Sequence, residues 1–124
     1  IEEHYPAFKR MVNSGAWIQL TAGSVTGRFG SRPKYWAERI LDEGQCHIIA
    51  TDSHHIDRRP PLLAEARDAA AKRLGEQEAL HLVVTRPQGI LDNASPGSLP
   101  PLPSPVRTVA DKKGFWRNLI ARKN

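Results

Sequence analysis

A short apolar run followed at once by polar residues constrains the fold of this chain more than any other feature. The run covers residues 46–50, is preceded by Gly44, and leads into the polar residues 51–55. Its length and β-branched content predict a buried strand. In α/β proteins, the carboxyl end of such a strand carries the chemistry. We therefore expect an α/β fold whose functional groups follow this strand.

Asp52 and His54 are the first candidate site residues. They are two positions apart, so they project to the same side of an extended backbone, and a carboxylate beside an imidazole makes a workable pair of metal ligands. The simpler alternative is a helix-capping aspartate and a surface histidine. His55 points to the other side of an extended backbone and is expected to be a bystander. The pair by itself does not complete a metal site.

The rest of the chain alternates predicted helices and strands. Apolar spacing and helix-stop residues predict helices over residues 5–14, 33–43 and 60–74, strands over residues 16–20 and 46–50, and a glycine-rich loop over residues 21–32. This order favours parallel strands in an alternating α/β arrangement. Residues 76–93 stay ambiguous, because a β-branched stretch at 80–85 follows residues that favour a helix.

The predicted loop 21–32 carries glycines, hydroxyl side chains and the cations Arg28 and Arg32. A loop of this composition after a strand can bind a phosphate through its backbone N–H groups. It matches neither a P-loop nor a dinucleotide-binding fingerprint. From the residues alone, an ordinary connection with solvated arginines is the simpler interpretation.

Composition limits the partners and the compartment. A chain of 124 residues with 40% hydrophobic residues can bury one core, and the net charge of +5 fits an anionic substrate or an anionic membrane surface. The basic residues lack a recognition-helix pattern, so we expect no nucleic-acid partner. The single Cys46 has apolar neighbours and is expected to be a buried hydrophobe in a cytoplasmic protein. The chain is expected to lack a leader sequence and to be a soluble piece of a longer protein.

Four short pieces occur in a specific order and spacing: residues 19–24, Gly27 with Phe29-Gly30, Asp52-x-His54, and Arg59-Pro60-Pro61 leading into a helix. Over residues 5–93 they resemble the carboxyl-terminal half of bacterial tyrosine-protein phosphatases of the PHP class, the capsule and exopolysaccharide type. The resemblance implies that residues 1–94 are the carboxyl-terminal portion of a distorted, TIM-like β/α barrel. It also implies a helix, then a short helical turn, within residues 76–93.

The resemblance further implies a chemistry and a substrate. In this family, divalent metal ions held by His, Asp and Glu activate a water to attack phosphorus, while arginines hold the phosphate. Manganese is the foremost candidate, with iron, zinc or magnesium as alternatives. Asp52 and His54 match the final ligand pair, and Arg59 matches an arginine that acts on the substrate phosphate. Arg28 lies in the loop that the resemblance places near the catalytic face.

The implied function is dephosphorylation of a phosphotyrosine protein, a membrane-associated tyrosine autokinase of polysaccharide export. The family's other ligands belong to an amino-terminal half that these residues lack, so we expect this portion alone to be inactive. Two alternatives stay open. One is another PHP phosphoesterase that acts on a small phosphate ester, and the other is a non-catalytic interaction domain derived from the enzyme.

The end of the chain has a different composition. Proline, glycine and serine dominate residues 95–105 and predict an extended linker, which we take as residues 95–111. The tail, residues 112–124, alternates basic and bulky apolar side chains, among them Lys112, Lys113, Phe115, Trp116 and Arg117. This pattern is typical of a segment that binds a membrane surface or a partner, although a disordered basic tail fits as well. A membrane role would place the protein at the inner membrane face.

Overall fold

The structure is a computed structural model that describes residues 1–58 and 61–106. Arg59, Pro60 and the tail 107–124 lie outside the described residues. The elements are α1 (Tyr5–Asn13), β1 (Gln19–Thr21), α2 (Ala22–Thr26), α3 (Ser31–Asp42), β2 (Ile48–Ala50), α4 (Leu63–Leu74), α5 (Glu76–Leu80), a π-helical turn (His81–Thr85), α6 (Arg86–Leu91) and a 3-10 turn (Pro96–Ser98).

The two strands pair in parallel, as the sequence predicts. Gln19 lies opposite Ile48 and Thr21 opposite Ala50, so both strands end at the same edge of the sheet. The first strand begins later than predicted, but the residue before it already takes part in the pairing. The carbonyl oxygen of Ile18 accepts hydrogen bonds from the backbone N–H groups of His47 and Ile48, at 2.9 and 3.2 Å. The α/β fold class is therefore confirmed.

The predicted helices agree with α1, α3 and α4, although α4 begins at Leu63, after the prolines. The prediction of a loop over residues 21–32 was wrong in its first part, because α2 occupies Ala22–Thr26. Ala22 and Val25 are buried in the core from this short helix. Burial of these two side chains outweighs the weak helix propensity of the glycine and hydroxyl residues between and after them.

A nearly continuous helical stretch runs from Glu76 to Leu91 through the π-helical turn. The helix that the family resemblance implies for this segment is thus confirmed. The β-branched residues of the segment favour a strand, but they form part of the helix. Ala79, Leu82 and Arg86 are fully buried on it. Their spacing of three and four residues follows a helical period, so tertiary packing decides the structure of this segment over local propensity.

The core lies between the two strands and the helices. Its buried apolar members are Tyr5, Ala22, Val25, Ala37, Ile40, Leu41, Cys46, Ile49, Ala66, Ala70, Ala79 and Leu82. Cys46 behaves as predicted for a buried hydrophobe. Its Sγ donates to the carbonyl oxygen of Ile48 at 3.2 Å, and burial raises the pKa of the thiol to about 12. A thiol in this state is a poor nucleophile.

The Pro-rich segment begins with the 3-10 turn at Pro96–Ser98, and the part from Leu99 to Val106 packs on the body. The carbonyl oxygens of Pro100 and Pro101 accept hydrogen bonds from a buried arginine, and the N–H of Val106 donates to the carbonyl oxygen of Asp42 at 2.7 Å. This part of the predicted linker is therefore held against the body, by the N–H groups of the buried arginine and by the Asp42 carbonyl oxygen. Among the described helices, none has the length and hydropathy needed to cross a bilayer.

Candidate active site at the strand ends

The carboxyl ends of β1 and β2 bring two segments together. Helix α2 begins directly after β1, and residues 51–58 follow β2. Because the strands are parallel, both segments lie at one edge of the sheet. A narrow cleft between them is lined by Ala22, Gly23, Thr26, Arg28, Phe29, Thr51, Arg58 and Leu62. This is the end of the sheet at which the sequence predicts chemistry.

The two predicted metal donors lie next to each other. The His54 Nδ1 atom is 2.6 Å from the carbonyl oxygen of Asp52 and 3.6 Å from its carboxylate. A carbonyl oxygen only accepts, so Nδ1 donates in this contact, and in the neutral ring the lone pair is then on Nε2. Metal-binding histidines have this arrangement, in which one ring nitrogen donates to a backbone carbonyl and the other binds the ion. The donor pair therefore fits a divalent metal.

The backbone of Asp52 is left-handed, with φ at 50°. This region is uncommon for residues other than glycine, although aspartate tolerates it better than most. The turn redirects the chain as it leaves β2 and puts the carbonyl oxygen of Asp52 within reach of His54. Within residues 1–58 and 61–106, no group of three or more His, Cys, Asp or Glu side chains is placed to hold a metal ion.

His55 has a role that the sequence did not indicate. Its Nδ1 atom accepts hydrogen bonds from the backbone N–H groups of Asp57 and Arg58, at 3.2 and 3.4 Å. The side chain therefore folds the chain into a turn directly before Arg59. His55 thus stabilises the turn in this loop and does not serve as a second imidazole beside His54.

Two arginines line the cleft. Arg28 lies with Nε 3.7 Å from the Glu65 carboxylate of α4, and about half of its side chain is exposed. Arg58 lines the same cleft with Thr51, and sequence analysis missed it. The signal that could have found it is the Arg-Arg pair before the prolines, of which only the second arginine matched the family pattern. Arg59 lies outside the described residues, so its predicted role stays a prediction.

A second polar cluster lies at the opposite end of the strands. The Nδ1 atom of His47 accepts from the backbone N–H of Ile18 at 3.0 Å, and its ring stacks on Trp17 with centroids 4.8 Å apart. Burial, together with the positive charge of Arg86, lowers the pKa of His47. This cluster joins the starts of the two strands and lies away from the candidate site.

The fold and this site define an α/β protein with a candidate metal pair and an arginine-lined cleft at one sheet edge. A family profile described as capsular polysaccharide synthesis, CpsB/CapC, matches residues 1–92. The chain therefore belongs to the CpsB/CapC family.

Characterised relatives support the assignment. The chain is 30% identical over 98 residues to the tyrosine-protein phosphatase CpsB of Streptococcus agalactiae, covering 75% of this chain and 40% of the relative. It is 28% identical over 103 residues to the tyrosine-protein phosphatase YwqE of Bacillus subtilis, covering 83% of this chain and 40% of the relative. The chain thus spans about two-fifths of the length of these relatives.

A solved structure has the same fold. It comes from crystallographic work on YwqE from Bacillus subtilis and CpsB from Streptococcus pneumoniae, described as unique metal-dependent tyrosine phosphatases. The TM-score is 0.74 at 27% sequence identity, and the match covers 87% of this chain and 42% of that chain. The family resemblance found in the sequence is therefore confirmed.

Proposed function

We propose that this chain is the carboxyl-terminal part of a metal-dependent protein-tyrosine phosphatase in capsule or exopolysaccharide biosynthesis. The observation that supports this best is the Asp52–His54 pair beside an arginine-lined cleft, at the carboxyl ends of two parallel strands. Relatives named as tyrosine-protein phosphatases support the substrate class.

In this proposal, the Asp52 carboxylate and His54 Nε2 hold a divalent ion, with manganese as the first candidate. A divalent ion there supplies Lewis acidity toward water and phosphate oxygen. Two donors are too few for a tight site, because coordination needs several preplaced ligands. We infer that the remaining donors come from further chain of the protein and that residues 1–124 alone are inactive.

Arginines of this chain bind the substrate phosphate in the proposal. A guanidinium matches a phosphate with two parallel hydrogen bonds, and an arginine keeps its charge at any physiological pH. Arg28 approaches from the α2 side and Arg58 from the β2 side of the cleft. The Nε atom of Arg28 lies 3.7 Å from the Glu65 carboxylate, in a solvent-exposed ion pair. Arg59, one residue beyond Arg58, is the proposed catalytic arginine.

We further propose that β1 and β2 are two neighbouring strands of a distorted β/α barrel that other strands of the protein complete. The proposed substrate is a membrane-associated tyrosine autokinase, which the enzyme meets in the cytoplasm. The basic tail 112–124 would hold the enzyme at the anionic inner membrane face.

The test uses the full-length protein. We expect it to hydrolyse a phosphotyrosine peptide with a kcat/KM well above that for a small alkyl phosphate ester. Chelation should abolish the activity, and Mn²⁺ should restore it. A preference for the small ester would favour a different phosphoesterase of the same fold. Absence of metal-restored hydrolysis on both substrates would contradict a catalytic role and favour an interaction domain.

A further inference from the structure

The ring of Phe29 lies on the first turn of α2, at the edge of the strand-end cleft. Its nearest ring atoms are 2.5 to 2.9 Å from the position that a Cβ atom on Gly23 would occupy. The ring therefore fits there only because residue 23 has no side chain. The backbone N–H of Phe29 donates to the carbonyl oxygen of Gly23 at 3.4 Å, which turns the loop back onto the helix.

The surroundings of Phe29 combine an apolar ring with groups that bind phosphate. Phe29 is 37% exposed and lines the cleft together with Arg28, Arg58 and Thr51. Thr51 is bonded directly to Asp52, so the ring lies beside the segment that carries the candidate metal donors. An aromatic face next to guanidinium groups suits a ligand with an aromatic ring and a phosphate.

We propose that Phe29, placed by Gly23, selects aryl phosphates over alkyl phosphates at this site. Its ring packs against the aromatic ring of a phosphotyrosine while the arginines bind the phosphate. A phosphoserine or a phosphothreonine carries no ring and does not gain this contact. The inference rests on the proposed phosphatase function and deepens it, because it names the residue that sets the substrate class.

The experiment measures a ratio in the full-length, metal-loaded protein: kcat/KM for a phosphotyrosine peptide divided by kcat/KM for the matched phosphoserine peptide. Phe29→Leu should lower this ratio by about threefold to tenfold, the range expected from the loss of one aromatic pair. Phe29→Tyr keeps an aromatic ring and should retain the ratio. Tyr35→Leu removes another exposed aromatic side chain, outside the cleft, and should also retain it.

A second pair of variants tests placement of the ring. Gly23→Ala puts a methyl group where the Phe29 ring lies, so it should lower the same ratio. In the Phe29→Leu background the clash is relieved, and Gly23→Ala should then lower the ratio little further. Competitive inhibition gives a second readout, which does not depend on turnover of the inhibitor. Phe29→Leu should weaken inhibition by phenylphosphonate more than inhibition by methylphosphonate.

The two proposals fail in different ways. A wild-type protein that prefers phosphotyrosine, with the ratio unchanged in Phe29→Leu and in Gly23→Ala, would overturn the role of Phe29 and leave the proposed function intact. A wild-type protein without phosphatase activity would overturn the proposed function, and this inference with it.

Discussion

Arg86 and Glu78 form a bidentate ion pair inside the protein, with nitrogen–oxygen distances of 2.7 and 3.1 Å. Arg86 is fully buried. Its remaining N–H groups donate to the carbonyl oxygens of His47, Pro100 and Pro101 at 3.2, 3.0 and 2.8 Å. All five guanidinium donors therefore have acceptors. The pair joins α5, α6, the residue before β2 and the Pro-rich segment at one point.

Removal of one partner should destabilise the protein strongly. Glu78→Ala leaves the buried Arg86 charge uncompensated, and such changes cost about 3–5 kcal/mol of unfolding free energy. The matched control is Glu76→Ala, which breaks the exposed 3.3 Å pair with Arg67 and should cost at most about 1 kcal/mol. Urea unfolding measures both. Equal losses in the two variants would show that the buried pair does not hold the fold together.

The packing of the Pro-rich segment on the body leads to a prediction at Gly44. This glycine has φ at 66°, and a Cβ atom there would meet the carbonyl oxygen of Pro103. Gly44→Ala should therefore cost about 2 kcal/mol or more, from the left-handed backbone together with the displaced segment. Gly97→Ala is the control, because a Cβ atom there meets nothing within 4 Å. A Gly44→Ala variant as stable as Gly97→Ala in the same unfolding assay would mean that the segment is not docked in solution.

The pKa of His47 should make stability depend on pH. Burial and the charge of Arg86 lower this pKa below the ordinary value of 6.5. As the pH falls below 6.5, the unfolded chain takes up a proton before the folded one does, so the unfolding free energy should fall. His47→Asn keeps an acceptor for the Ile18 N–H but does not titrate.

Urea unfolding between about pH 7.5 and about pH 5.5 should therefore show a slope in the wild type that is reduced in His47→Asn. An unchanged slope in His47→Asn would contradict the assigned environment of His47.

The sequence predicts the alternation of helices and strands and the parallel pairing, because apolar periodicity reports directly which faces are buried. It also brings Asp52 and His54 forward as metal ligands, and that role stays a prediction; the extended backbone expected for the pair is wrong, because Asp52 is left-handed. It misses the buried Arg86–Glu78 pair, because Arg86 also needs the carbonyl oxygens of His47 and Pro100 as acceptors. These residues lie outside its helix, and only the fold brings them together. It misses Arg58 for another reason: a charged residue in a loop carries no periodic signal, and only the fold shows which cleft it lines.

The basic tail should attach the full-length protein to anionic membranes. Each basic residue near an anionic surface contributes about 1 kcal/mol, and Phe115 and Trp116 add apolar burial. We expect co-sedimentation with anionic vesicles and not with zwitterionic ones, and loss of binding at high salt.

The truncated variant for comparison lacks residues 107–124 and keeps the hydrogen bond between the Val106 N–H and the Asp42 carbonyl oxygen. It should remove vesicle binding without changing turnover of a soluble phosphotyrosine peptide. Equal sedimentation of the intact and truncated proteins would leave the tail without a membrane role.

The central claim, that Asp52 and His54 are metal ligands of a tyrosine phosphatase, is tested most directly by the metal content of the full-length protein. Asp52→Ala and His54→Ala should each lose bound metal and hydrolysis of a phosphotyrosine peptide together. Arg59→Ala should keep its metal while turnover falls, because its proposed partner is the substrate phosphate. Full metal occupancy in Asp52→Ala and His54→Ala, with metal lost in Arg59→Ala, would contradict the assignment.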